Sequence, residues 1–425
     1  MTDTIFAPSS GAPPAAIAVI RISGPQAGEA LTQLLGRLPQ PRRASFGPLR
    51  NRAGELLDRT LVLWLPGPAT ATGEDTAELH CHGGRAVIAA VEAALADMPG
   101  LRRAEPGEFT RRAFANGRID LAEAEGLADL LSAETELQRK AAMAMVGGAF
   151  SQQVDGWRER VLMLSAAVEA VLDFADDDDV SGLPVDFAEQ VNGFATELAS
   201  WLDRPRAEAL REGYRVVIAG PPNAGKSTLF NALVESEAAI TAPIAGTTRD
   251  VLTRPVAIGG VPFLFADTAG LRDETSDSIE AMGIARARGE VAGADLVLWL
   301  GSEGQGPQGA WEIEAQMDVA DHAVKHGPRH RISAVSGDGI AALRSDLIET
   351  ARQAMPRPGQ VALNARQRRW ISEAHAGLAV AGAGGDPLLM AENLRLARLA
   401  FDALLGRTTT EDMLDALFGR FCIGK

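Results

Sequence analysis

The spacing of apolar residues changes several times along the chain and divides it into regions. Over 1–116, alternating apolar runs at 15–22, 61–65 and 76–80 predict strands, and helical spacing at 27–35 and 86–95 predicts helices. This mixture reads as an α+β domain. Beyond Gly117 the period lengthens. Leu121, Ala124, Leu127 and Leu131 recur at helical spacing within 120–146, and further helical stretches follow at 154–174 and 187–212. Strand and glycine-loop signals then occupy 213–350, with apolar strands at 216–219 and 261–266. After the linker 356–359 helices resume to the end. Helices on both sides of the middle region are amphipathic and incomplete alone, so the simplest packing joins them in one bundle. The expected fold is therefore multidomain α/β plus α: an α+β domain at 1–116, a helical domain at 117–212 and 352–425, and a doubly wound α/β domain at 213–351 inserted into the helical one.

Composition narrows the class only slightly. A chain of 425 residues that is 46% hydrophobic and 23% charged has material for two or three cores. Two cysteines, Cys81 and Cys422, make no disulfide framework and fit the reducing cytoplasm. No apolar run approaches the roughly 18 residues of a membrane helix, so no membrane role is expected. The net charge of −15 argues against broad non-specific nucleic-acid binding but permits a local basic face. The acidic run 176–179 reads as an exposed loop, with a metal site as the alternative. His80, Cys81 and His82 stand in succession on a strand. Successive strand residues face opposite sides, which favours a satisfied strand end over a metal site.

The chemistry concentrates in the inserted region. GPPNAGKS at 220–227 lies between an apolar strand and a predicted helix, the context in which G-x-x-x-x-G-K-S binds phosphate. Asn223, Ala224, Gly225, Lys226, Ser227 and Thr228 form the expected phosphate-binding set. Lys226 would reach the β/γ-phosphates and Ser227 would hold Mg²⁺. GTTRD at 246–250 supplies Thr248 to complete the Mg²⁺ shell and sense the γ-phosphate. DTAG at 267–270 supplies Asp267, which would act on Mg²⁺ through water, then Thr268, Ala269 and the Gly270 N–H. These motifs in this order predict a GTPase. Leu271 stands where a water-orienting glutamine is common, so the water needs another polar group from Asp273, Glu274, Asp277 or Glu280. No arginine finger is assignable either, and the developing charge needs another cation. Asn223 has two readings: ligand of a monovalent ion, or asparagine that stabilises the loop.

Further segments carry a resemblance over nearly the whole chain: DTI at 3–5, VIRISGP at 19–25, PGP at 66–68, TGEDTAEL at 72–79, HGG at 82–84, PGEFTRRAF at 106–114 and the terminal FCIGK at 421–425. Together with the central motifs, they resemble the MnmE family, also called TrmE, of tRNA modification GTPases. That resemblance implies a homodimer with an N-terminal folate-binding domain, a helical domain and a Ras-like G domain inserted in it. It implies a flavoprotein partner of the MnmG type, in a heterotetramer, and tRNA whose wobble uridine gains an aminomethyl or carboxymethylaminomethyl group at carbon 5. The implied one-carbon source is 5-formyltetrahydrofolate or a related tetrahydrofolate. Hydrolysis in the family depends on K⁺ and on G-domain dimerisation. The K⁺ ligands carry over to Asn223, Thr247 and the backbone oxygens of Ala242 and Ile244, the Mg²⁺ ligands to Ser227 and Thr248, and the water-orienting glutamate to Glu280. The folate residues carry over to Arg21, Glu78, Arg118 and Lys425, with arginine at 118 where the family usually has lysine. Cations there suit folate's carboxylates, and a carboxylate suits the pterin N–H groups. Cys422 carries over as a reactive thiol near the folate, with a buried structural cysteine as the alternative.

Two segments depart from the family pattern. SSGAPPAA at 9–16 replaces a glycine-rich segment. The guanine-reading N-K-x-D motif is missing, and its best positional match is Ala315, Gln316, Met317 and Asp318. Asp318 retains acceptors for both guanine N–H groups, and Ser333 and Ala334 match the loop near the guanine O6. GTP is therefore expected to bind in preference to ATP, but more weakly than with an intact motif. Two alternatives stay open: an Era- or Der-like RNA- or ribosome-associated GTPase, and a catalytically idle folate- and tRNA-binding scaffold. For tRNA contact the candidate arginines are Arg102, Arg103, Arg111, Arg112, Arg366, Arg368 and Arg369, each with solvated or paired arginine as the alternative.

Overall fold

The computed structural model describes residues 3–173, 182–234, 253–267, 291–357, 359–408, 410–419 and 421–424. The chain divides into two compact units. The first comprises 1–128, 151–156 and 401–425, and the second 129–150 and 157–400.

The first unit is built on a six-stranded sheet of β1 (Thr4–Pro8), β2 (Ile17–Ser23), β3 (Ser45–Arg50), β4 (Leu56–Leu65), β5 (Thr76–His82) and β6 (Leu101–Arg103), in the order β3-β4-β5-β2-β1-β6. Only the β1–β6 pairing is parallel. Alternation decides its faces. Ile20 and Ile22 of β2, and Ala77, Leu79 and Cys81 of β5, point into a core completed by α1 (Ala27–Leu35) and α2 (Arg85–Ala96). Arg21, Glu78 and His80, one residue out of phase, lie on the other face. The short helix α3 (Glu108–Ala115) follows, then α4 (Leu121–Leu131). The C-terminal helix of the chain, Glu411–Phe418, packs Leu414 and Phe418 against Leu121 and Ala124 of α4.

The second unit carries a sheet of β7 (Tyr214–Ala219), β8 (Thr253–Ile258), β9 (Val261–Asp267), β10 (Leu296–Trp299), β11 (Trp311–Glu314) and β12 (His330–Arg331), ordered β12-β11-β10-β7-β9-β8. All neighbours are parallel except β8, which runs antiparallel to β9. In β7 five of six residues are buried, as a central strand covered on both faces requires. Leu229, Phe230 and Leu233 of α9 (Lys226–Val234) and Leu343 and Leu347 of α10 (Ile340–Ala354) close the same core. The remaining helices of this unit include α5 (Glu136–Val146), most of α6 (Ala149–Asp173), α7 (Phe187–Leu202), α8 (Glu208–Glu212), α11 (Ala365–Gly382) and most of α12 (Pro387–Leu404); the C-terminal Glu411–Phe418, in the first unit, is α13.

Two helices expected to be continuous are broken, each for a local reason. Within 120–146, Thr135 ends the periodic run by capping α5: its hydroxyl accepts from the Gln138 N–H, and the Gln138 side chain returns a bond to the Thr135 N–H. Within 187–212, Pro205 disfavours helical geometry at Arg204, and the chain turns before α8. At the foot of this sheet the incoming and outgoing chains touch, with the Ala207 N–H bonded to the Leu363 carbonyl at 3.1 Å. On either side of it α7 and α11 pack together. Asn192 abuts Gly382, and Arg368 donates to the carbonyls of Leu202 and Arg204.

Candidate functional site

The residues expected to bind phosphate sit where β7 ends, in the middle of the sheet and outside the carboxyl ends of its parallel strands. Open α/β sheets hold their ligands there. Gly220 leaves the strand at φ 154°, Asn223 adopts φ 61° and Gly225 φ 85°, so the loop reverses twice before α9 begins at Lys226. Asparagine tolerates that left-handed geometry better than most residues. Its side chain is exposed. The Lys226 side chain is buried and its Nζ donates to the Pro221 carbonyl at 2.8 Å, lying across the loop. Ser227 and Thr228 are exposed in the first turn of α9, and the N-terminal end of a helix favours an anion.

The loops after β11 and β12 arrive at the same edge. Gln316, at φ 60°, lays its side chain against Gly225 and donates from Nε2 to the Asn223 carbonyl at 3.1 Å. The segment Ala315 to Asp318 is thereby fastened to the phosphate loop. Asp318 accepts from the buried Ser333 hydroxyl at 2.5 Å, and the Met317 N–H bonds the Ile332 carbonyl. Asp318 and Ser333, two of the residues expected at the base, are thus bonded to each other, and Ala334 follows Ser333 in the chain. The backbone of Asp267, the last residue of β9, lies beside Ile218 in the register. Ala242, Ile244, Thr247, Thr248, Thr268, Ala269, Gly270 and Glu280 lie outside the described residues, as do Lys425 and the acidic run 176–179.

In the first unit the sheet brings Arg21 and Glu78 together. They are opposite each other on β2 and β5, and the guanidinium donates twice to Glu78 Oε1, at 3.1 and 3.0 Å. The Phe109 ring lies 5.8 Å from the guanidinium carbon. His80 stands two residues on, its Nε2 3.5 Å from Glu78 Oε2. Arg118 donates to the Thr70 carbonyl. The C-terminal tail reaches this sheet too. Gly107 N–H bonds the Cys422 carbonyl, Pro106 bridges to Ile423, and the Ser9 hydroxyl donates to the Gly424 carbonyl at 2.8 Å. Gly424 has φ 94°, and a Cβ there would stand 1.9 Å from the Pro8 carbonyl oxygen. Only glycine fits that approach.

Several expectations need correction. Cys422 is exposed, which removes the buried structural reading. Cys81 faces the core, where burial pushes its thiol up to about 11, while His80 and His82 face the opposite side, His82 beside Asp58. Strand alternation thus separates Cys81 from the two histidines, as expected for a strand end. Arg112 is 0% exposed and cannot touch RNA: it binds Asp3, Glu74 and Glu108. Arg102 joins Asp3 to Glu108, and Arg111 pairs with Glu411 and Asp415. Arg368 is committed to backbone carbonyls, whereas Arg103 and Arg369 remain outward. Sequence reasoning missed Phe109, His80 as the neighbour of Glu78, and the bond from Gln316 to Asn223. For the first two the signals were present: i, i+2 spacing on β5, and an aromatic residue on the buried face of α3.

A family model of the MnmE helical domain matches residues 121–422, and a second, for the N-terminus of the GTP-binding protein TrmE, matches residues 4–118. The chain belongs to the MnmE family. Proteins named tRNA modification GTPase MnmE from Erythrobacter litoralis and Novosphingobium aromaticivorans are 64% and 65% identical to it, each aligned over 100% of both chains. The MnmE of Rhizorhabdus wittichii is 58% identical over 100% of this chain and 97% of its own. Among solved structures, the G domain of the T. maritima FeoB iron transporter covers 32% of this chain and 98% of its own, at 24% identity. Its TM-score of 0.23 is too low to carry an argument. Family membership agrees with the multidomain architecture of mixed sheets and helices read from the sequence.

Proposed function

We propose that this chain is a GTP-hydrolysing tRNA modification enzyme. With an MnmG-type flavoprotein, it would add a carboxymethylaminomethyl or aminomethyl group to carbon 5 of the wobble uridine of certain tRNAs. The observation that carries the nucleotide half is the bond from Gln316 Nε2 to the Asn223 carbonyl, 3.1 Å, which makes one site of the phosphate loop and the loop bearing Asp318. It supports reading Ala315 to Asp318 as the degenerate base-recognition motif. In this reading 213–351 is a G domain inserted into a helical domain of 117–212 and 352–425, and 1–116 binds folate and dimerises. The contact between Ala207 and Leu363 fits such an insertion.

Mg²⁺ and K⁺, where bound, neutralise charge on the phosphates. The exposed Ser227 at the start of α9 fits the first, with Thr248. The exposed Asn223 amide fits the second, with Thr247 and the carbonyls of Ala242 and Ile244. Lys226 binds the β/γ-phosphates, and Glu280 orients the attacking water. Asp318 accepts from the guanine N–H groups, and Gln316 covers the site where lysine is usual. In the N-terminal domain Arg21, Arg118 and Lys425 offer cations to the folate carboxylates, and Glu78 offers an acceptor to the pterin. The Arg21–Glu78 pair, 18–23% exposed, fits such a ligand because it is already oriented and still reachable. Exposed Cys422 supports the reactive-thiol reading.

The test is GTP hydrolysis by the full chain in K⁺ and in Na⁺. Turnover is expected to be stimulated by K⁺ and lost in Glu280→Ala. An idle scaffold would show no K⁺-dependent turnover, and that result would overturn the catalytic reading.

A further inference from the structure

The loop that carries Asp318 has little regular structure of its own. It is a run of turns in which the Val319 N–H bonds the Gln316 carbonyl and the His322 N–H the Val319 carbonyl. One end is fastened by Gln316, Met317 and Asp318 as described. Toward the other end it is fastened through the His322 side chain. His322 Nδ1 lies 2.8 Å from the Val319 carbonyl oxygen, and Nε2 lies 3.0 Å from Oε1 of Glu314, the last residue of β11. Glu314 is almost wholly buried, and its other oxygen accepts from Arg331 Nε of β12 at 3.0 Å.

The chemistry of these partners is decisive. A carbonyl oxygen and an ionised carboxylate only accept, and a neutral imidazole has one N–H to give. Both bonds therefore exist together only when the ring is the imidazolium. We propose that His322 is a positioning residue that, in its doubly protonated form, latches the base-recognition loop to Glu314 and so sets the affinity for guanine nucleotides. The inference rests on the reading that Asp318 meets the base. The groups facing the ring agree with it. The Glu314 carboxylate and the Val319 carbonyl raise the imidazole's pKa above its ordinary value, and Asp318 adds to this. His322, opposed by burial and helped by Arg331 and the Lys325 N–H, in turn holds Glu314 below the usual carboxylate range. The Lys325 ammonium is engaged elsewhere, with Glu312 and the Trp299 carbonyl.

The sign follows from a raised pKa. The latch is complete below the ordinary histidine range and is lost as pH rises through the raised value. Guanine-nucleotide affinity should fall over that window. His322→Gln, which offers one amide to two acceptors, should bind GDP more weakly at low pH and lack the extra decline.

Calorimetric titration of the full chain with GDP and with xanthosine diphosphate, between about pH 6 and about pH 9, tests this against three variants. Titration of the nucleotide itself is common to all of them and cancels in the ratio. Wild type is expected to lose about fivefold more affinity for GDP across the range than His322→Gln. Glu314→Gln should move the midpoint of that decline to lower pH. Parallel pH profiles for wild type and His322→Gln would overturn the latch. Asp318→Asn separates this from the underlying reading, since it exchanges an acceptor for a donor and should favour xanthine over guanine. If it leaves the preference unchanged, the base-recognition reading fails instead. The ring-carbon resonances of His322 in the unmodified protein give a check without a variant. A ring that is already neutral at about pH 6 would also overturn the proposal.

Discussion

Arg112 illustrates what one residue's environment decides. On α3 it shares a face with Phe109 and Ala113, the i, i+3, i+4 pattern of a buried stripe. That pattern was available in the sequence and outweighed by the habit of reading adjacent arginines as a nucleic-acid patch. Its guanidinium ties the β1 end at Asp3 to Glu74 and Glu108, so Arg112→Met removes a buried cation shared by three carboxylates, of which Asp3 and Glu108 keep only Arg102. A loss of about 3–5 kcal/mol in unfolding free energy is expected, measured by urea denaturation. Burial would raise the Glu108 carboxyl, but Arg102, the Glu105 N–H and Arg112 outweigh it and hold it below the usual carboxylate range; Asp3 is held low in the same way by Arg102 and Arg112. Depressed carboxylates stabilise the fold above their unfolded pKa, and that contribution disappears as pH falls through the folded values. The urea midpoint of wild type should therefore drop more steeply than that of Arg112→Met between about pH 6 and about pH 3. Asn223 and Gln316 were legible as candidates because their motif positions are fixed by spacing. His322 was not, because its bond to Glu314 spans a turn whose shape depends on β12 beneath it.

At the scale of elements, the sequence was most readable where burial imposes a period. β5 and α1 match the expected alternation and helical stripe, and the apolar run before Gly220 became the central strand of a parallel sheet. The misread boundaries at Thr135 and Pro205 came from capping and proline chemistry acting inside a continuous apolar pattern. The C-terminal FCIGK was legible as a signature but not as a contact, since its partners at Ser9 and Pro106 are over three hundred residues away in sequence. Gly424→Ala puts a methyl against the Pro8 carbonyl and should detach the tail. Faster release of terminal residues by a carboxypeptidase than in wild type is the expected readout, with the unfolding midpoint nearly unchanged. Equal rates would show that the tail is not held by this approach.

Each of the two units closes on its own core. In the second, the chain enters and leaves the nucleotide sheet at the touching residues Ala207 and Leu363. A nucleotide-dependent change in that sheet therefore has a short path to α7 and α11, the helices that flank it in sequence and pack together in space. The idea of insertion followed from incomplete helices on both sides of a glycine loop; the loop's chemistry followed from its spacing and its position after a strand. What the sequence left open was the base, and the bond of Gln316 to the phosphate loop, with Asp318, two residues on, held by Ser333, supports guanine despite the missing N-K-x-D. The central claim joins that GTPase site to tRNA modification, and nucleoside analysis of tRNA tests it most directly. Cells lacking this chain, or carrying only Lys226→Ala, should contain wobble uridines without the carbon-5 substituent, and the wild-type chain should restore it. Wobble uridines that keep the substituent in its absence would contradict the account.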